Sequence, residues 1–305
     1  MITKEDIEVK KVRVMINRAV SILKSKGELN MSTEIYYFSG TGNSLHVAEE
    51  LQKKIVDSKL ISIVSLLSND VIEIHGETVG FVFPLHGMTI PIPVKAFIEK
   101  VNLKSSHYIF GIVTRGGTKS FSFKKIDKIL KKKGRCLDSC FHLNMLSNNP
   151  KFEGYDIPTN ETIDTMESEI QNQLNLIQKI IIEKKKSRKA DSTFIVPSGF
   201  ILERLVLLGM FFAEHIRVKN YLYSDEKCNG CGICAMVCPS QKIKIIDGKP
   251  LWQNKVQCYM CYACLNYCPQ QSVQISSTWF MKSYTPKNGR YPHPYASSKD
   301  IANQK

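Results

Sequence analysis

Ile35-Tyr36-Tyr37-Phe38 runs directly into Ser39-Gly40-Thr41-Gly42-Asn43-Ser44 and then into Leu45-His46-Val47-Ala48-Glu49-Glu50-Leu51. The apolar and aromatic quartet reads as a buried strand, the last seven residues as a helix, and the six between them as a loop of hydroxyl side chains and glycines. A strand, such a loop and a helix N-terminus together make an anion site, with amides and hydroxyls pointing inward and the helix dipole behind them. A phosphate is the expected occupant. No Walker-type lysine follows and no G-x-G-x-x-G occurs, so ATP and NAD fit poorly.

Outward from this stretch, short apolar runs alternate with helical ones. The candidate strands are 34–38, 60–64, 78–83, 108–114 and 138–145, and the candidate helices 44–56, 91–101, 121–133 and 163–184. Five strands alternating with helices predict an α/β fold with a doubly wound parallel five-stranded sheet and right-handed crossovers, which binds its ligand at the carboxyl ends of the strands.

Eight of the ten cysteines fall within 41 residues: Cys228-x2-Cys231-x2-Cys234-x3-Cys238-Pro239, then Cys258-x2-Cys261-x2-Cys264-x3-Cys268-Pro269. This repeat resembles the cysteine spacing of bacterial two-cluster ferredoxins. Two-residue gaps aim three thiolates of one tight loop at one face of a [4Fe-4S] cluster. In such proteins the fourth cysteine crosses over, so Cys228, Cys231, Cys234 and Cys268 are expected to hold one cluster and Cys258, Cys261, Cys264 and Cys238 the other. Structural zinc is the rival reading, and it does not call for the fourth-Cys-Pro pattern. Cys136 and Cys140, at and within the fifth strand, read as small buried hydrophobes.

The phosphate loop resembles that of the flavodoxin family, whose S/T-x-T-G-x-S/T sequence holds FMN phosphate without a cationic side chain; Ser39, Thr41 and Ser44 match its hydroxyl positions. Two later loops are similar to that family's ring-binding loops: Pro84-Leu85-His86-Gly87-Met88 after strand three and Thr114-Arg115-Gly116-Gly117 after strand four. The resemblance implies that the isoalloxazine lies between them. It departs from the family pattern at His86 and Met88, where a stacking Tyr or Trp is frequent, and at Arg115, a cation expected near the pyrimidine end of the ring that would favour the anionic reduced flavin. With Asn144-Met145-Leu146-Ser147-Asn148-Asn149, the ferredoxin arrays and the ending Gly289-Arg290-Tyr291-Pro292-His293-Pro294, the chain from Met31 onward is similar to the bacterial flavodoxin/ferredoxin fusion electron-transfer proteins.

The length of 305 residues and a hydrophobic share of 43% fit a folded chain of two domains. The expected division is an extension over 1–30, the flavodoxin-like domain over 31–190, a linker and interdomain helix over 191–219, a small α+β two-cluster domain over 220–276 and a tail over 277–305. Residues 1–30 admit two readings: a start at Met31, or an accessory helix with an apolar stripe of Val12, Val14, Met15, Ala19 and Ile22. No secretory h-region opens the chain, and Pro197, Gly199, Glu203 and Arg204 interrupt the apolar run 194–213, so a cytoplasmic protein without a transmembrane segment is expected.

The net charge of +14 and the lysines at 124, 125, 128 and 131–133 suit an acidic redox partner protein, and no basic–aromatic interleaving speaks for nucleic acid. The expected function is electron relay between FMN, two [4Fe-4S] clusters and that partner. The alternatives are an FMN-dependent reductase of a quinone or nitro compound, and a redox-sensing interaction protein.

Overall fold

The computed structural model describes residues 32–189, 191, 193, 204–205, 207–209, 221–277 and 282–305. The extension over 1–30, and nearly all of the helix expected between the domains, lie outside the described residues.

The large sheet has strands β1 (Thr33–Tyr37), β2 (Ser58–Ser62), β3 (Thr78–Pro84), β4 (Tyr108–Arg115), β5 (Ser139–Asn144) and β6 (Ser187–Arg188). They lie in the order β2-β1-β3-β4-β5-β6, all parallel. The first five follow the 2-1-3-4-5 order of the flavodoxin-like doubly wound fold. The sixth strand corrects the five-strand expectation. Ser187 donates its amide to Ser139 Oγ, and that hydroxyl and Tyr108 Oη both donate to the Lys185 carbonyl, so the basic run returns onto the sheet edge.

Helices α1 (Asn43–Lys54) and α4 (Asn160–Ile182) cover one face, and α2 (Ile92–Lys100) and α3 (Ser122–Lys131) the other. Parallel strands buried on both faces need continuous apolar runs, which Val79 to Phe83 and Ile109 to Val113 supply around Gly80 and Gly111. The core under α1 and α4 joins Ile35, Leu51, Ile112 and Leu174 to Val237, Ala263 and Ile301 from the last third of the chain. Each fully buried aliphatic side chain there contributes on the order of 1.5–3 kcal/mol.

The cysteine-rich segment is built as two similar halves. Strands β7 (Leu222–Ser224) and β10 (Val273–Ile275) pair antiparallel, as do β8 (Ile243–Ile246) and β9 (Lys249–Trp252). One-turn helices α5 (Ile233–Met236) and α6 (Ala263–Asn266) follow the two cysteine loops.

The tail, expected to wrap, does so in a specific way. It ends in α7 (Ser298–Ala302), whose Ser297 and Asp300 cap one another reciprocally. Gln304 then clamps the loop after β1, accepting from Ser39 N at 2.9 Å and donating to Ser39 O at 2.8 Å.

Candidate cofactor cleft and cysteine sites

A cleft of ≈ 900 Å³ opens at the carboxyl ends of β1, β3 and β4. Ser39, Thr41, Asn43 and Ser44 line one end, and Pro84, Leu85, His86, Gly87, Met88, Thr114, Arg115, Gly116 and Gly117 line its walls. Thus the three predicted loops converge on one space. Gly40 and Gly42 do not line it. A Cβ on Gly40 would come within 2.1 Å of the Cys261 carbonyl oxygen, and Gly42, at φ 103°, packs against His293, where a Cβ would approach the His293 Cβ to 2.6 Å. These glycines let the loop be covered by the cysteine segment and the tail.

Within the loop the hydroxyls divide their work. Ser39 Oγ accepts from Gly42 N, while Ser44 Oγ bonds Thr114 Oγ1 at 2.8 Å and so ties the loop to β4. The Thr41 carbonyl accepts from His293 N at 2.8 Å, and Thr41 itself lines the cleft. No side chain caps α1 and no acid stands in its first turn, so its amides are open to an anion. Asn43 Oδ1 and His86 Nδ1 are buried in this lining without partners. Unpaired buried polar atoms beside open helix amides fit a phosphate-bearing, hydrogen-bonding ligand such as FMN.

His86 lies between the cleft and the cysteine segment. Burial pushes its pKa down to about 4, against the pull of the hydrogen bond its ring donates to the Tyr259 backbone. The imidazole is therefore neutral at pH 7, with Nδ1 as an acceptor.

Arg115 has close partners. Its guanidinium pairs with Asp191 and bonds Asn144 Oδ1 and the Thr118 carbonyl, and both side chains of the pair are 7% exposed. Burial works against the Asp191 carboxylate, but Arg115, the Ser120 amide and Thr193 together hold it well below the usual carboxylate range. Arg115 thus lines the cleft as expected, but its charge is paired with Asp191 and ties the β4 loop to residue 191.

The eight arrayed cysteines form two groups. Cys228, Cys231, Cys234 and Cys268 line one small cavity with Ile245, Pro250 and Val273. In the other group, Cys264 feels foremost the charges of Cys238, Cys261 and Cys258, after burial, and its thiol is pushed well above the ordinary range. Burial first, with the neighbouring sulfurs adding to it, likewise raises Cys234 to about 11. Thiolates crowded in such a place need a metal core to be stable. Cys140 is buried, its thiol raised to about 12 chiefly by desolvation, as its sequence context implies, but Cys136 is exposed.

More of the lining comes from 146–149, within the Asn144–Asn149 segment singled out in the sequence, from the expected ligand Cys261, and from Lys151, Phe152, Tyr221, Met260 and Tyr262, to which the sequence assigns no role. Met260 and Tyr262 sit at left-handed φ of 51° and 58°, the repeat positions where the first array has Gly230 and Gly232 at 76° and 79°. A left-handed non-glycine costs roughly 1 kcal/mol, so the second array departs from glycine at the two residues whose side chains the cleft receives. That asymmetry was the available signal.

Residues 227–273 match the family model for the 4Fe-4S dicluster domain, and this segment carries two [4Fe-4S] clusters. Comparison with curated protein sequences gave no match. Among solved structures, a protein of Bacteroides uniformis described as a flavoprotein is 18% identical over 39% of this chain and 94% of its own, with a TM-score of 0.30. The rubredoxin:oxygen oxidoreductase of Desulfovibrio gigas is 13% identical over 50% of this chain and 36% of its own, at 0.32. An azoreductase of Bacillus anthracis is 13% identical over 50% of this chain and all of its own, at 0.34. The flavodoxin-like fold itself rests on the chain's own strand order.

Proposed function

We propose that this chain, a flavodoxin-like domain joined to a two-cluster ferredoxin domain, is an electron relay in which FMN bound in the cleft exchanges electrons with the clusters. The carrying observation is that Met260, Cys261 and Tyr262 form a wall of the same cleft as Ser39, Thr41 and Ser44. When bound, FMN supplies conversion between one- and two-electron transfer. Thr41 and the α1 amides hold its phosphate; the loops at 84–88 and 114–117 flank its ring. His86 excludes water from the gap between ring and cysteine loop and holds an acceptor nitrogen toward the cleft.

The cluster of Cys258, Cys261, Cys264 and Cys238 is the one next to the flavin. That of Cys228, Cys231, Cys234 and Cys268 is the outer one, where an external partner docks. Lys124, Lys128, Lys131 and Lys132 are exposed on and just after α3, and with the net charge of +14 they favour an acidic partner. Among the described residues no helix is long and apolar enough to cross a membrane.

Anaerobic protein should contain about eight irons, about eight sulfides and one FMN per chain. Photoreduction of the clusters should then reduce the flavin without an added mediator. About four irons per chain, or a flavin that stays oxidised beside reduced clusters, overturns the relay. The breadth of the cleft favours a second reading, reduction of a small quinone or nitro acceptor, which multiple turnovers with such an acceptor would establish.

A further inference from the structure

With Arg115 tied to Asp191, the charge balance of the cleft changes. Among the described residues no acidic side chain lines it, and the cationic side chains there besides Arg115 are Lys119 and Lys151. Lys119 lies near the Phe121 ring, whereas Lys151 is 8% exposed with its ammonium 5.3 Å from the centre of the Tyr221 ring. Among the described residues no carboxylate pairs with Lys151, and burial alone lowers its basicity. A partly buried ammonium that opens on the cleft beside an aromatic face, with no counter-charge of its own, is a ready partner for an anion bound there.

The position is firmly built. The carbonyls of Pro150, Lys151 and Phe152 are each engaged by the tail, through Asn288 Nδ2 at 2.8 Å, Tyr284 N at 2.9 Å and Asn288 Nδ2 at 2.7 Å. The Tyr221 hydroxyl in turn bonds that of Tyr262 at 2.7 Å, one residue from Cys261. The ammonium is thus positioned from two sides, by the tail and by the cysteine loop.

We infer that Lys151 is the counter-charge for electrons entering the cleft, its ammonium stabilising the negative charge of the two-electron-reduced flavin. The inference rests on FMN occupying the cleft. Two electrons, one from each cluster, and one proton from the buffer leave the ring with one more negative charge, while each cluster is oxidised by one electron. The fixed cation meets that charge without rearrangement.

The test uses the anaerobic holoprotein with Lys151→Gln and Lys151→Arg. In Lys151→Gln, affinity for oxidised FMN should stay within twofold while affinity for the reduced form falls at least tenfold. That lowers the two-electron flavin potential by about 20 mV or more, with the cluster signals unmoved. Lys151→Arg, which keeps the charge, should restore most of the potential. Equal weakening of both flavin states with an unmoved potential assigns the ammonium to the phosphate and overturns the inference. So does an unmoved potential accompanied by loss of benzoate binding, which would mark a separate carboxylate ligand. A wild-type chain that takes up no FMN overturns the relay reading and this one with it; a wild-type potential in Lys151→Gln overturns this one alone.

Discussion

Gly40 and Cys261 touch backbone to backbone: the place a Gly40 Cβ would occupy is 2.1 Å from the Cys261 carbonyl oxygen. The phosphate loop and the inner cluster loop are therefore one packed unit. The contact is with backbone rather than a flexible side chain, so it cannot be relieved by rotation.

Gly40→Ala should push the cysteine loop off the cleft. Iron content should be retained, FMN should bind more weakly, and cluster-to-flavin transfer after flash photoreduction should slow at least tenfold. Gly116→Ala, whose Cβ would meet Ser147 at an ordinary 3.7 Å, is the control. Equal rates in the two variants would show that the close approach does not govern transfer.

Thr41→Val preserves shape and removes a hydroxyl from the cleft lining that has no hydrogen-bond partner among the described residues, unlike those of Ser39 and Ser44. FMN should bind about 1–3 kcal/mol more weakly, with the iron–sulfur absorption unchanged. Flavin fluorescence titration measures it, and an unchanged affinity places the phosphate elsewhere.

Arg115→Gln would leave the Asp191 carboxylate its bonds from Ser120 and Thr193 but no counter-charge. Breaking a pair of this kind costs about 3–5 kcal/mol, so the variant should lose stability in urea, and Arg115→Gln/Asp191→Asn should recover much of it. A shift in flavin potential with full stability would instead restore Arg115 as a free cation facing the ring.

Met260→Gly removes a left-handed methionine from the second cysteine loop. Relief of about 1 kcal/mol of backbone strain should keep cluster stability to heat at or above wild type, while FMN affinity falls several-fold. Loss of the clusters with FMN binding intact would reverse the assignment.

His293, stacked on His46 at 4.4 Å beside Glu167 and Tyr295, titrates at about 3, lowered by burial first and by His46 second. A free histidine titrates near 6.5. Between those values the unfolded tail binds a proton that the docked tail does not, so docking weakens as pH falls through that window, by at most about 1.4 kcal/mol per pH unit. Limited proteolysis of the tail should accelerate from pH 7 to pH 5, and His293→Gln should flatten that dependence.

The doubly wound order and the two cysteine arrays were legible because each depends on short-range pattern. Apolar runs such as Ile109 to Val113 can be satisfied only between two helical layers, and iron–sulfur loops are held by spacings of two and three residues. The sixth strand is not legible in the sequence because Ser187 and Arg188 have no strand pattern of their own; they pair because Ser139 and Tyr108 offer hydrogen bonds at that edge. The pairing of Arg115 is invisible in the sequence for a related reason. Its neighbours Thr114 and Gly116 say that it stands at a loop, but its partner Asp191 is 76 residues away, and a charge is neutralised in space rather than along the chain. The same holds for Lys151, Tyr221 and Met260, drawn from three separate stretches into one wall. Phosphate loop and cluster ligands are local constructions, written in consecutive residues, whereas the meeting of flavin cleft and inner cluster depends on long-range packing, which neither composition nor periodicity records.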